Sequence, residues 1–188
     1  KNMSQLHIIT GPMFSGKTTS LTNTYNQYKH AGIGVIAINH TIDTECTVPN
    51  MLQTHNNLKI PCIYSTSILN VYNEHVQNNP EIKAILINEC QFFDDLYNTV
   101  NMLLNFDRVF NIYIFGLDGD FKHQRFGQTL DLIPIANTVT KLASICFQCK
   151  NNNAIFTHRL TNDSSQTLVG SSHYIPVCRN CYKKLNDN

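Results

Sequence analysis

Residues 11–18 read Gly11-Pro12-Met13-Phe14-Ser15-Gly16-Lys17-Thr18, and this stretch decides the fold. It matches the phosphate-binding loop pattern G-x-x-x-x-G-K-[ST] at every specified position. The apolar run at residues 6–10 before it is predicted to form a buried strand, and the residues from Thr19 onward are predicted to form a helix. Because a strand, the loop and a helix follow in this order, the sequence predicts a phosphate site. A glycine-containing turn that matches by chance is the alternative.

The residue types of the loop suit a phosphate ligand. Glycines let the backbone curl so that consecutive N–H groups point inward at phosphate oxygens, and the N-terminus of the following helix adds partial positive charge. The ammonium group of Lys17 is expected to reach the β- and γ-phosphates, and the hydroxyl of Thr18 is expected to bind Mg²⁺. The loop therefore predicts that a nucleoside triphosphate and its magnesium ion bind here.

The length and charge of the chain limit the classes of protein to which it can belong. Its 188 residues suffice for one domain with an appendage or for two small domains, and 42% of them are hydrophobic. The formal net charge of +1 argues against a nucleic-acid or polybasic membrane surface. The first residues do not resemble a signal peptide, and no run approaches the ~18 apolar residues of a membrane span. We expect a cytoplasmic protein with neither nucleic acid nor a membrane as its partner.

Strands and helices alternate along the first two thirds of the chain. Apolar runs and capping residues predict these elements at 35–38 (strand), 60–63 (weak strand near an edge), 65–76 (helix capped by its first serines), 84–87 (strand), 94–104 (helix capped by Asp94 and Asp95) and 111–116 (strand). The alternation predicts an α/β fold, a mostly parallel sheet with helices on both faces and a ligand at the carboxyl ends of its strands. Residues 40–57 are predicted to form a loop or hairpin, and residues 150–172 a long polar excursion.

A single carboxylate follows the predicted strand at residues 84–87. Asn88 is the first polar residue after that strand, and Glu89 comes next. In phosphate-loop proteins the end of such a strand carries the acidic group that handles Mg²⁺. Glu89 therefore has two candidate functions, as a metal ligand or as a general base on an attacking hydroxyl. A solvated surface glutamate is the alternative.

Four of the seven cysteines form two C-x-x-C pairs, Cys146 with Cys149 and Cys178 with Cys181. Two such pairs are typical of a four-thiolate zinc site, and a closed tetrahedral site of this kind is structural. Four reduced thiols in a core are the alternative. The isolated cysteines are interpreted as small apolar residues. They are Cys46, Cys62 and Cys90.

Together these motifs resemble the type II thymidine kinase family, the cellular and poxviral class with a zinc-bearing lasso. The resemblance covers almost the whole chain. Its segments are residues 11–18, 88–93, 117–121, 125–127 and 140–142, the two cysteine pairs and Tyr174. The resemblance implies a RecA-like phosphate-loop domain at residues 1–143 and a small C-terminal zinc-binding lasso domain at residues 144–188.

The resemblance also implies a reaction and its site. The γ-phosphoryl group of ATP, bound with Mg²⁺, would pass to the 5′-hydroxyl of thymidine, and Glu89 would accept the hydroxyl proton. The residues expected to bind ATP and its phosphates are Gly11, Pro12, Met13, Phe14, Ser15, Gly16, Lys17, Thr18, Asp43, Asn88 and Gln91. The residues expected to bind the nucleoside are Met13, Phe92, Leu117, Phe121, Phe126, Ser165, Gln166, Thr167, Leu168, Val169 and Tyr174. A homotetramer and feedback by dTTP are further implications.

The chain departs from the family pattern at two positions. Asn88 stands where the family has Asp, which is expected to weaken Mg²⁺ binding or to shift it to Asp43 or water. Glu45 replaces Arg and removes a cation near the phosphates, whereas Thr54 and His55 keep a Thr-His pair of the same loop. The alternatives are a catalytically weakened nucleotide-binding homologue, a kinase for another deoxynucleoside, and a phosphate-loop ATPase that binds nucleic acid. The near-neutral charge argues against the last.

Overall fold

A six-stranded sheet in which every strand pair is parallel forms the centre of the molecule. The computed structural model describes residues 3–43, 48–54 and 56–186. The strands of this sheet, numbered along the chain, are β1 (Gln5–Thr10), β2 (Gly34–His40), β5 (Ile63–Ser65), β6 (Ile82–Ile87), β7 (Asn111–Gly116) and β8 (Thr138–Lys141). Their order across the sheet is β5-β2-β6-β7-β1-β8. All six carboxyl ends therefore lie at the same edge.

Helices cover both faces of this sheet. On one face α1 (Lys17–His30) packs together with a hairpin of β3 (Met51–Gln53) and β4 (Lys59–Pro61). On the other face α2 (Ile68–Val71) and α3 (Leu96–Leu104) pack side by side. The structure therefore confirms the predicted fold, a mostly parallel α/β sheet with helices on both faces.

Burial on both faces explains why the central strands are continuous apolar runs. Residues 84–87 of β6 are all buried between the two helical layers. Leu21 and Tyr25 of α1 belong to the same apolar cluster as Leu86 and Phe115. Within the described ranges, no helix has the length and apolar character that crossing a bilayer requires.

The weak strand predicted at residues 60–63 is wrong in its placement. Residues 59–61 pair with β3 in the hairpin, and the strand that pairs with β2 begins only at Ile63. The backbone N–H of Cys62 donates to the carbonyl oxygen of Asn50 at 2.9 Å. A single apolar run thus serves two sheets, because the chain passes from one to the other at Cys62. The predicted edge position is confirmed for β5.

Two small antiparallel strand pairs and a helix make up the C-terminal part of the chain. They are β9 (Ser144–Ile145) with β10 (Asn153–Ala154), β11 (Phe156–Arg159) with β12 (Tyr174–Val177), and α4 (Arg179–Asn186). The predicted polar excursion at residues 150–172 is therefore wrong in its first half, which contains β10 and β11. Inward-facing polar residues such as Thr157 and Arg159 hide these strands from a search for apolar runs. The predicted domain boundary after residue 143 stays a prediction.

Two side chains cap the N-terminus of α2, which a wider helical turn extends to Val76. Oγ of Ser67 accepts a hydrogen bond from the backbone N–H three residues later, at 3.2 Å. The prediction that Asp94 and Asp95 cap the following helix is confirmed for the position of Asp95, which is the N-cap residue of α3, but not for a capping bond. No backbone N–H of this fully described helix bonds the Asp95 carboxylate, and from α3 it accepts a 3.4 Å hydrogen bond from Oγ1 of Thr99. That carboxylate instead accepts hydrogen bonds from Oγ of Ser67 at 2.8 Å and from two N–H groups of α2 at 3.2 and 3.0 Å.

Replacing Asp95 with alanine is expected to destabilise the protein, because three donors at the start of α2 lose their acceptor. The free energy of unfolding should fall by roughly 1–3 kcal/mol, measured by urea denaturation with circular dichroism. The matched control is Asp94→Ala at the exposed neighbouring residue, which should change the same quantity by less than about 0.5 kcal/mol. Equal losses for the two variants would contradict the assignment.

Candidate active site

The loop at residues 11–18 has a backbone conformation suited to binding an anion. Gly11 and Gly16 have positive φ angles of 152° and 87°. A Cβ atom at Gly11 would lie 2.6 Å from Oγ of Ser15 and 2.7 Å from the carbonyl oxygen of Leu142, so no side chain fits there. Gly16 is the N-cap of α1, and the loop therefore ends at the positive end of that helix dipole.

Lys17 lies inside this loop and bonds the loop backbone. Its side chain is buried, and Nζ donates hydrogen bonds to the carbonyl oxygens of Gly11 at 2.9 Å and Pro12 at 2.8 Å. Burial lowers the pKa of Lys17, and the nearby carboxylate of Glu89 opposes that shift. Both acceptors of the Lys17 amine are therefore neutral. A charged phosphate oxygen can replace them, because charge-assisted hydrogen bonds are stronger than bonds to neutral groups.

Glu89 follows β6 in a left-handed backbone conformation, with φ 48° and ψ 42°. A non-glycine residue held in this region costs of the order of 1–3 kcal/mol, so the surrounding structure must enforce it. Oε2 of Glu89 accepts a hydrogen bond from Nε2 of Gln91 at 2.6 Å, and Oε1 of Gln91 accepts one from the N–H of Leu117 at 3.0 Å. The second bond fixes which end of the Gln91 amide faces Glu89. Gln91, predicted as a phosphate-binding residue, contacts the candidate base here.

Asn88 belongs to a row of polar side chains that ends at Asp43. Nδ2 of Asn88 donates to Oδ1 of Asn39 at 3.1 Å, and Nδ2 of Asn39 donates to Oδ2 of Asp43 at 2.7 Å. Both asparagines are buried, and Asn39 was not among the predicted site residues. Because an ionised carboxylate only accepts hydrogen bonds, Asp43 orients both amides. The neutral residue that departs from the family pattern is thus connected to a neighbouring acid.

One open cleft contains most of the predicted site residues. Those that line it are Met13, Phe14, Ser15, Gly16, Lys17, Thr18, Asp43, Glu89, Gln91, Phe92, Leu117, Phe121, Phe126, Gln166, Thr167, Leu168, Val169 and Tyr174. Four predicted residues do not line it, namely Gly11, Pro12, Asn88 and Ser165. The cleft is therefore common to the phosphate loop, the candidate base and the aromatic residues.

Aromatic side chains form an apolar wall of this cleft. The rings of Phe92 and Phe126 meet edge to face with centroids 5.4 Å apart, and Phe126 is buried. His40 lies behind this pair, with its ring centroid 5.7 Å from that of Phe92, and burial lowers its pKa. A flat apolar ligand suits such a wall, since aromatic groups pack against its faces and edges.

Thr157 of β11 connects the C-terminal part of the chain to the phosphate loop. Its buried hydroxyl accepts a hydrogen bond from the backbone N–H of Met13 at 3.1 Å, and the residue lines the cleft. Thr157 was not among the predicted site residues, and a threonine inside a polar stretch carries no sequence signal for such a contact. The contact couples the position of β11 to that of the loop.

Residues 163–170, here called the lid, lie along one side of the cleft. Nε2 of Gln166 donates to Oδ2 of Asp120 at 2.8 Å and to the carbonyl oxygen of Arg125 at 3.0 Å. Asp120 is itself buried, and its other carboxylate oxygen accepts two backbone N–H groups of the same loop. The lid therefore rests on the loop that follows β7, and the aromatic wall and the lid border the same space.

The four predicted zinc ligands form one cluster. The sulfur atoms of Cys146, Cys149, Cys178 and Cys181 all lie within 4.8 Å of one another. The backbone N–H of Cys178 donates to Sγ of Cys146 at 3.2 Å. Hydrogen bonds from backbone N–H groups, of which that of Asn151 has the largest effect, lower the pKa of Cys149 to about 6. Four sulfurs at this spacing fit Zn²⁺, which binds thiolates tetrahedrally.

Several predictions concern positions that the structure does not describe. They are Glu45 in place of a family Arg, the isolated Cys46, and His55 of the Thr-His pair. These stay predictions. Thr54, the other member of that pair, is buried, and its Oγ1 accepts a hydrogen bond from the N–H of Leu58 at 3.1 Å. Thr54 thus supports the turn between β3 and β4.

The fold and the cleft together define a class of protein, a phosphate-loop nucleotide-binding protein with a carboxylate beside the loop and a four-cysteine cluster. The family model for thymidine kinase matches residues 4–182. The chain therefore belongs to the thymidine kinase family, which confirms the resemblance inferred from its motifs.

Curated relatives from distant sources agree with this family. The chain is similar to the thymidine kinases of Choristoneura biennis entomopoxvirus, Myxoma virus (strain Uriarra) and Mycoplasma mobile, with 37%, 34% and 35% identity. The three matches cover 96%, 95% and 94% of this chain and 97%, 96% and 86% of those proteins. The likeness therefore includes the C-terminal part with the cysteine cluster.

The cysteine cluster predicts a specific loss of metal. Cys149→Ser should remove most of the bound zinc, because three thiolates no longer close the tetrahedron. Metal content is measured by atomic emission on the purified protein, together with the midpoint of thermal unfolding, which should fall. Cys62→Ser is the control, because Cys62 is a buried cysteine outside the cluster, and it should keep the zinc. One zinc ion per chain in the Cys149 variant would show that the cluster is not the zinc site.

Proposed function

We propose that this chain is an ATP-dependent thymidine kinase, which transfers the γ-phosphoryl group of ATP to the 5′-hydroxyl of thymidine and supplies dTMP for DNA synthesis. Membership of the family supports the class of reaction. The position of Glu89 carries the proposal, because its carboxylate lines the same cleft as Lys17 and Thr18. Its hydrogen bond from Gln91 holds that carboxylate in one place.

The phosphate end of ATP binds at the loop. Backbone N–H groups of residues 11–18 and the N-terminus of α1 surround the β- and γ-phosphates. The ammonium of Lys17 exchanges the carbonyl oxygens of Gly11 and Pro12 for phosphate oxygens. It then offsets the charge that develops on the transferred group. The hydrogen bonds of Lys17 to two loop carbonyls support this, because they hold its Nζ atom against the loop backbone.

Glu89 acts as the general base. Its carboxylate accepts the proton of the 5′-hydroxyl as the hydroxyl oxygen attacks the γ-phosphorus, and the bond from that phosphorus to the oxygen bridging to the β-phosphate breaks to release ADP. Gln91 holds the carboxylate through the 2.6 Å hydrogen bond from Nε2. Phosphoryl transfer depends mainly on positioning and charge neutralisation, so a fixed carboxylate and a fixed cation suffice.

The nucleoside binds between the aromatic wall and the lid. Phe92, Phe126 and Phe121 offer apolar surface for a flat pyrimidine, and Met13 and Leu117 complete that surface. The backbone of residues 165–169 faces the nucleobase, with Tyr174 beside it. The lid excludes water, which would otherwise compete with the 5′-hydroxyl for ATP.

Thr18 and Asp43 are the residues that would hold Mg²⁺ with the triphosphate. A hydroxyl and a carboxylate are oxygen donors of the kind this hard cation prefers, and both residues line the cleft. When bound, the ion neutralises phosphate charge. Asn88 is connected to Asp43 through Asn39, whose Nδ2 donates a hydrogen bond to the Asp43 carboxylate. This row of side chains supports an active kinase over the alternative of a catalytically weakened homologue, because it keeps an acid beside the loop.

Three further features belong to the same proposal. We propose that the chain assembles as a homotetramer. Exposed apolar side chains on edge strand β8 and on the 3-10 helix before it, Thr129–Ile135, support this, namely Ile133, Ile135 and Val139. We further propose feedback inhibition by dTTP, the triphosphate made from dTMP, through binding of dTTP in the same cleft. We also propose that the protein is cytoplasmic, because its four clustered cysteines are free thiols and a reducing compartment keeps thiols in that form. Sedimentation velocity of the zinc-loaded protein tests the first feature, since a monomer would rule it out.

Changing Glu89 to glutamine tests the assigned base. The amide keeps the shape of the side chain but does not take up the proton, so kcat should fall by roughly 10²–10⁴-fold. The KM for ATP should stay within about threefold, because the phosphate loop is unchanged. Glu81→Gln, at an exposed glutamate just before β6, is the matched control and should leave both constants unchanged. Undiminished turnover in the Glu89 variant would refute the assignment.

Changing Asp43 to asparagine tests the magnesium assignment. The new side chain keeps an oxygen that accepts the hydrogen bond from Asn39, but it lacks the charge. The Mg²⁺ concentration for half-maximal activity should rise, on the order of tenfold, because a neutral amide binds a hard dication less well. Asp107→Asn, at an exposed site after α3, is the control. An unchanged Mg²⁺ requirement would show that Asp43 does not bind or orient the ion.

A further inference from the structure

A buried guanidinium at the end of β11 bonds the backbone of the lid. The Arg159 side chain is 1% exposed. Its Nη1 donates to the carbonyl oxygen of Asp163 at 2.9 Å and to that of Ser165, and its Nη2 donates to the carbonyl oxygen of Gln166 at 3.0 Å. One rigid planar group thus holds three lid carbonyls, and a lysine ammonium could not reproduce this fork geometry.

Tyr174 extends the reach of Arg159 to a fourth lid carbonyl. Nη2 of Arg159 donates to the Tyr174 hydroxyl at 2.7 Å, and that hydroxyl donates to the carbonyl oxygen of Leu168 at 2.9 Å. The guanidinium also stacks on the ring of Phe121, with Cζ 3.8 Å from the ring centroid. Phe121, Leu168 and Tyr174 all line the cleft, so Arg159 fixes the lid and one cleft wall together.

The buried charge of Arg159 depends on the lid for its hydrogen-bond acceptors. Its ion-pair partner, the Asp163 carboxylate, lies 3.8 Å from Nη1, and that side chain is 45% exposed. Lid carbonyls therefore supply most of the close acceptors for a cation that is out of contact with water. If the lid moves away, the guanidinium loses these acceptors, so the buried charge favours the lid position seen here.

Fixing the carbonyls also fixes the amides of the lid. In a trans peptide the N–H of each residue points opposite to the carbonyl of the residue before it, and the described chain has no cis peptide. Carbonyls of residues 165, 166 and 168 that face Arg159 and Tyr174 therefore direct the N–H groups of Gln166, Thr167 and Val169 the other way. In the part of the chain that the structure describes, these three N–H groups have no acceptor within the protein.

We infer that Arg159 is a positioning residue for nucleoside binding. By holding the carbonyls on one side of the lid it presents the N–H groups of residues 166, 167 and 169 to the cleft, where acceptors on a nucleobase receive them. The inference deepens the proposed function and rests on it for the identity of the nucleobase. The ordering of the lid by Arg159 does not depend on that identity.

Arg159→Lys, compared with Arg108→Lys, tests this inference. Arg108 is a matched control, because it also donates to three backbone carbonyls and lies over a phenylalanine ring, at a distance from the cleft. Its partners are Val76, Asn79, Ile82 and the ring of Phe110. Both variants keep the charge and lose the planar fork, so a general effect of the substitution would appear in both.

Three measurements are made on the zinc-loaded protein. Steady-state kinetics should show that Arg159→Lys raises the KM for thymidine on the order of tenfold, with kcat and the KM for ATP changed less than about threefold. Limited digestion with thermolysin, without nucleoside, should cut the lid before Leu168 or Val169 several times faster than in the wild type. Zinc content should stay at the wild-type level. Arg108→Lys should match the wild type in all three.

The outcomes separate the inference from the proposed function. If Arg159→Lys leaves both lid cleavage and the thymidine KM within about twofold of the wild type, the inference is wrong. If the wild type does not phosphorylate thymidine, the proposed function fails, and the thermolysin comparison alone decides whether Arg159 orders the lid. If the Arg159→Lys variant loses zinc, the Tyr174→Phe variant is used in its place. The Tyr174→Phe change removes only the hydroxyl that lies between Arg159 and Leu168. That variant should raise the KM for thymidine about threefold, and no change would refute the inference.

Discussion

Parallel strand pairing is the constraint on which the site depends. It places the carboxyl ends of β1, β2, β6 and β7 at one edge of the sheet, and each of these ends carries part of the cleft. The phosphate loop follows β1, Asp43 follows β2, Glu89 follows β6 and Leu117 follows β7. In an antiparallel sheet of the same order, β2 and β7 would end at the edge opposite to the ends of β1 and β6, so Asp43 and Leu117 would lie far from the loop and the candidate base.

The amino-acid sequence predicted the elements whose environment leaves a pattern. β7 was predicted with its observed bounds and β6 nearly so, because strands buried on both faces are continuous apolar runs. The phosphate loop and the zinc ligands were predicted because their chemistry requires fixed residue types at fixed spacing. β8 was missed, since all of its residues are exposed and no apolar run marks it. β11 was missed because Thr157 and Arg159 are buried polar residues.

Contacts between particular side chains could not be predicted from the sequence. Gln91 was predicted in the site, but its contact with Glu89 depends on the left-handed turn after β6. Asn39 carried no signal, because an asparagine inside a strand gains its function only from neighbours on other elements. Asp95 stands beside the start of α3 in sequence, yet its carboxylate bonds the start of α2. Such contacts are decided by packing between distant segments.

The C-terminal part connects the cysteine cluster, the lid and the phosphate loop through β11, where Thr157 contacts the loop and Arg159 contacts the lid. In our proposal the phosphate loop, the base and the lid together serve phosphoryl transfer to a nucleoside. The most direct test gives the purified protein γ-radiolabelled ATP, Mg²⁺ and thymidine, and separates the products by chromatography. Label is expected in thymidine 5′-monophosphate, formed only when nucleoside is present. Label released solely as inorganic phosphate, whether or not thymidine is added, would contradict the proposal.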